Sequence, residues 1–188
     1  MTSTDTNHGL GERDGLRWWP SALGLLIAVG AGIGSEGADM AVVIAVAALV
    51  YVGAAAAGSG RAAWWWFLAT FPVITVGQVF DAPEGTTWVC VAIAAAAAVW
   101  GITRGRWDDP GGLPLQSVAM VAFAAVSLVA FMLDATVGAW LVAAGLVAHG
   151  IWDVYHHRTN RVVVRSYAEA CAVIDFAIPV FIVVNTVS

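Results

Sequence analysis

Residues 136–187 read TVGAWLVAAGLVAHGIWDVYHHRTNRVVVRSYAEACAVIDFAIPVFIVVNTV. Two apolar runs, 136–156 and 163–187, are each long enough to cross a bilayer's hydrocarbon, and a polar turn at Arg158-Thr159-Asn160-Arg161 separates them. So short a connection returns the second run as an antiparallel neighbour of the first. Where no water satisfies backbone groups such runs must be helical, and their lack of period-two alternation argues against a barrel. The same reading extends outward to runs at 18–34, 40–57, 62–80, 87–103 and 115–133. The expectation is an all-α transmembrane bundle of seven helices.

Composition agrees. A chain of 188 residues that is 60% hydrophobic and 11% charged, with a mean hydropathy of +0.81, has more apolar surface than a water-soluble core can hide. All eight basic residues are arginine, and they fall on alternate connections. Arg13 and Arg17 precede the first run, Arg61 follows the second, Arg104 and Arg106 follow the fourth, and Arg158, Arg161 and Arg165 surround the last turn. The other connections hold Glu36, Asp39, Asp81, Glu84 and Asp134. The positive-inside rule then puts the N-terminus in the cytoplasm and the C-terminus outside, in a bacterial cytoplasmic membrane. Arginines spent on a membrane face form no nucleic-acid patch, so no nucleic-acid partner is expected; the bilayer is the partner, with a lipidic or small-molecule ligand beside it.

Residues 1–16 read as a polar cytoplasmic tail and 17–188 as one transmembrane domain, with no cleavage site clear near Gly34-Ser35-Glu36. Most of the ten tryptophans, including Trp64, Trp65, Trp66 and Trp152, fall at predicted helix ends and read as interfacial anchors. Cys90 and Cys171 fall at different depths and are not expected to pair. Gly58-Ser59-Gly60 predicts a tight turn, and Pro72 a kink. An offset of about 97 residues lays 17–80 on 115–188 around a linking helix at 87–103, with Gly53 over Gly150 and Arg61 over Arg158. That parallel three-plus-one-plus-three plan is similar to that of the sugar-transporting SWEET family, but the termini point the other way and no paired proline-glutamine motif is present.

The polar residues inside the last two runs are the candidate site. On a helix advancing about 100° per residue, Asp153 lies about 40° from His149, His156 about 20° to the other side and His157 about 80° round. Imidazoles and a carboxylate on one face suit a divalent metal of zinc or iron type, with His149, Asp153 and His156 as ligands. Glu169 and Asp175 on the returning helix would serve as general base or fourth ligand, and Arg158, Arg161 and Arg165 would hold a lipid headgroup or phosphate. With the turn centred at Asn160, His149 should stand level with Cys171 and Glu169, and Asp153 with Tyr167.

Four histidines are too few for a histidine-box di-iron enzyme, and a bis-histidine haem needs histidines on facing helices, which this chain lacks. Ser166, the serine best placed near His149, has no nucleophile elbow around it. Three classes remain: a metal-dependent enzyme acting on a lipidic substrate, a proton- or cation-coupled transporter of a small solute, and a structural subunit in which the same residues form a polar knot. The pattern H-x-x-W-D-x-x-H-H, followed by RSYAEACAVID, resembles small polytopic membrane proteins of GC-rich bacteria. That resemblance covers the second half best and implies no activity.

Overall fold

The computed structural model describes residues 18–33 and 37–187. The expectations for the tail at 1–16, for Arg13, Arg17 and for Glu36 lie outside the described residues. Among the described residues seven α-helices follow one another: α1 (Trp19–Gly32), α2 (Ala41–Ala57) after a 3-10 turn at Gly37–Met40, α3 (Ala62–Val79), α4 (Pro83–Thr103), α5 (Leu113–Met132), α6 (Ala135–Thr159) and α7 (Arg165–Val187). No strand occurs among the described residues. Six of these segments are long and apolar enough to cross a membrane, so the chain is a multi-pass helical bundle.

The exception is α1. Its 14 residues give about 21 Å of helix against a hydrocarbon core of about 30 Å. The run read as spanning 18–34 thus ends early, at Gly32, where Ile33 turns extended. Even so, α1 lies along α7 and parallel to it. Ser21 meets Glu169, Gly24 backs onto the Ala170 carbonyl, and Gly32 faces Phe181.

The middle of the bundle is α2, AVVIAVAALVYVGAAAA, buried along almost its whole length. Small apolar side chains on every face let four other helices approach its backbone closely, which is how helices associate in lipid without a hydrophobic driving force. α3, α4, α5 and α6 all pack against it. Gly53 makes room for the Trp66 indole, and Gly101 of α4 seats against Ala56. The helix ends at Gly58, whose φ of 63° is left-handed, so the small-residue turn forms as expected.

α6 opens on Asp134, which accepts hydrogen bonds from the Thr136 and Val137 backbone N–H groups, and closes on Asn160 in the left-handed region. The chain does not re-enter helix at residue 163, as the apolar run suggested, but at Arg165. Val163 is buried with Tyr51 and Tyr167, and the Val164 N–H donates to the Gly60 carbonyl at 3.2 Å. Meeting both demands forces Val162 to φ 67°, the centre of a γ-turn closed by Val163 N–H to Arg161 O at 2.7 Å. This conformation is rare and strained for a β-branched residue. The hairpin is therefore centred at Val162 rather than Asn160.

The arginine-bearing turns meet at one end of the bundle. Arg161 pairs with Asp109 of the α4–α5 connection at 2.8 and 3.0 Å, and the Arg106 guanidinium lies over Gly58. That hydrogen-bonded pair, with help from the Gly111 N–H, lowers the Asp109 carboxyl below its usual range. Trp18, Trp19, Trp65, Trp88, Trp100 and Trp140 are exposed at helix ends, as anchors should be. Trp64, Trp66 and Trp152 instead pack inward. The two cysteines are buried and unpaired.

Candidate metal centre

His149 and Asp153 stand one turn apart on α6 and point into the bundle, where α7 brings Asp175 and α2 brings Tyr51. All four are buried, at no more than 1% exposure. His149 Nδ1 lies 2.7 Å from Asp175 Oδ2 and 3.5 Å from Asp153 Oδ2. A carboxylate oxygen accepts, so Nδ1 carries the proton and donates it to Asp175, a tautomer assigned from its partners. Tyr51 donates its hydroxyl to Asp153 Oδ1 at 2.5 Å. Asp153 Oδ2 and His149 Nε2 have no hydrogen-bond partner, and Nε2 belongs to a ring whose centroid is 4.8 Å from that of Phe123.

Hairpin register explains the pairing. A turn centred at Val162 sets His149 level with Asp175 and Asp153 level with Cys171, one helical turn beyond the expectation of a centre at Asn160. Pro179 lies one turn after Asp175 and cannot donate to its carbonyl, so α7 loses a rung of its ladder beside the cluster.

Among the described residues, His149, Asp153 and Asp175 form the group whose ligand atoms, all within 4.8 Å of one another, suit a metal ion. Zinc-type bonds of 2.0–2.2 Å in a tetrahedron put neighbouring ligand atoms about 3.3 Å apart. The 3.5 Å separation of Nδ1 from Asp153 fits that figure; the 2.7 Å hydrogen bond to Asp175 is shorter. An ion entering here would replace the shared proton and part those two atoms by a few tenths of an ångström. Charge points the same way. Two carboxylates are buried with one imidazole, and no arginine is among their hydrogen-bond or ion-pair partners. Buried charges are normally paired or bound to metal.

The other expected site residues are placed elsewhere. His156 is buried one turn nearer the arginine end with both ring nitrogens engaged: Nδ1 donates to the Trp152 carbonyl at 2.9 Å, and Nε2 accepts from Gln116 at 3.2 Å. Glu169 is half-buried on the α1 side of α7, where Ser21 donates to it at 2.5 Å. Ser166 accepts from the Trp64 indole N–H at 3.3 Å. Arg161 is engaged by Asp109, while Arg158 and Arg165 are exposed.

Sequence reasoning passed over Tyr51 and Gln116, and named Tyr167 only as level with Asp153. Tyr51 had a readable signal, as the sole polar side chain within α2. Tyr167 stands beside Tyr51, with ring centroids 6.1 Å apart and its hydroxyl unpartnered. Compared with protein-family models, curated proteins and solved structures, the chain matches none.

Proposed function

We propose that the protein is a multi-pass protein of a bacterial cytoplasmic membrane that binds a divalent cation between α2, α6 and α7. His149, Asp153 and Asp175 are the ligands, and Tyr51 holds Asp153 in place. The observation that carries this reading is the surplus of carboxylate: one divalent cation neutralises two aspartates that no arginine reaches. Asp153 Oδ2, which accepts no hydrogen bond, adds a lone pair already present in the cluster.

Enclosure bears on the choice between chemistry and carriage. Two hollows, of about 600 and about 590 Å³, open on the molecule, and none of the three ligands lines either of them. A lipidic substrate would have to part the helices to reach the buried aspartates. A cation needs only a transient opening, so we infer that the site holds or passes an ion rather than cleaving a lipid. Proteoliposomes enclosing a fluorescent zinc and manganese indicator test this. Wild-type protein should admit one of the two ions, and Asp153→Asn should not; uptake equal in both would rule the carrier reading out.

The polar-knot reading has an observation of its own. The 2.7 Å His149–Asp175 and 2.5 Å Tyr51–Asp153 bonds already tie three helices together without an ion. Metal stoichiometry decides between the two.

A further inference from the structure

On the outer side of the α6–α7 hairpin runs a furrow of about 590 Å³, lined by Val154 and His157 of α6 and by Glu169, Ala172, Val173 and Phe176 among others of α7. Its lining is apolar over nearly all its length. Helical spacing says what stands at its end. Arg158 follows Val154 by four residues, and Arg165 precedes Glu169 by four, so each arginine lies on the stripe of its own helix that borders the furrow. Both are exposed, as is Arg161, but Arg161 is held by Asp109. Glu169 is engaged by Ser21 from α1.

We propose that this furrow is a binding site for one anionic phospholipid, its phosphate held by Arg158 and Arg165 with His157 beside them, and one acyl chain lying along Ala172 and Phe176. Charge complementarity selects the occupant. The furrow is apolar where a chain would lie; at its headgroup end the two arginines, placed there by helical spacing, outnumber Glu169, the carboxylate of its own lining, and it runs along two helices long and apolar enough to cross a membrane. A zwitterionic lipid satisfies the apolar part alone. The inference does not depend on the buried metal site, none of whose three ligands lines the furrow.

Native mass spectrometry of protein exchanged into equal parts phosphatidylglycerol and phosphatidylcholine of identical chains tests it. Wild type should retain one phosphatidylglycerol in preference. A surface arginine is worth roughly fivefold in such binding, so Arg158→Gln with Arg165→Gln should cut the preference by roughly 25-fold. Ala172→Trp, which fills the furrow from its lipid-facing side and leaves both charges, should reduce retention of either lipid. Arg104→Gln, at an exposed arginine of the neighbouring connection, should change nothing. Equal retention of the two lipids by wild type would overturn the proposal, as would an Arg104→Gln effect matching that of the double variant.

Discussion

His149 and Asp175 lie 26 residues apart in the chain, on antiparallel helices, and share one proton across 2.7 Å at a depth where neither is reached by solvent. The contact exists because the connecting turn is stretched to put Val163 inside, which slides α7 one helical turn along α6. A carboxylate placed one turn earlier would have missed the imidazole. The consequences of that register can be measured.

Tyr51→Phe removes one oxygen and leaves Asp153 Oδ1 buried without its donor. In metal-free protein this should lower stability by about 1–3 kcal/mol, the usual cost of an orphaned buried acceptor. In the metal-bound protein it should weaken affinity about 10–100-fold, as loss of an outer-shell partner does, without abolishing stoichiometry. Thermal unfolding and competitive chelation check the two effects. Affinity unchanged in Tyr51→Phe would show that Asp153 does not need the hydroxyl to hold its place.

Gly53→Leu should be costly, because even a Cβ at this position collides with the Trp66 indole. Overpacking of this kind costs about 1–3 kcal/mol. A Cβ added at Gly30 would meet nothing within 4 Å, so Gly30→Leu serves as the neutral comparison. Unfolding in detergent should separate the two variants; equal melting curves would contradict the close packing of α2.

The positive-inside rule predicts that the arginine-rich end lies in the cytoplasm. Ser59→Cys in the α2–α3 turn should react with an impermeant thiol reagent only after cells are opened, and Leu133→Cys in the α5–α6 turn should react in intact cells. Labelling of both from one side would mean that a span is miscounted.

Much of this architecture could be read from the chain. Apolar runs gave the helices because their length and lack of period-two alternation leave few alternatives in lipid, and Gly58 and Asn160 end helices where left-handed residues are expected. Depth within the bundle was less legible. The burial of α2 follows from its small residues, and its span is the most apolar of the six, but an apolar span suits lipid as well as a bundle centre, so hydropathy alone does not place it inside. Its Tyr51 was thus overlooked as a partner for Asp153. Register failed for a different reason: RVVVR reads as the start of a helix, and it is tertiary contacts, the burial of Val163 and the Val164 N–H bond to Gly60, that hold residues 161–164 out of one. Glu169 and Asp175 were both expected within reach of His149, and that two-residue shift selects Asp175. His156 was chosen by facing direction, which was correct, since it is buried on the same stripe; what spacing could not show was Gln116 and the Trp152 carbonyl occupying both its nitrogens.

The central claim is that the His149–Asp153–Asp175 cluster binds a metal, and cobalt titration of protein purified without a histidine tag tests it most directly. Cobalt(II) reports its own coordination through visible absorption, and elemental analysis of the same samples counts the ion. Wild type should take up one cobalt per chain with bands of low-coordinate N/O ligation. His149→Ala and Asp175→Asn should take up none, and His157→Ala should match wild type. A folded wild type that binds no cobalt, zinc or manganese, together with a lowered melting temperature for His149→Ala, would contradict the account and leave the cluster as a polar knot joining three helices.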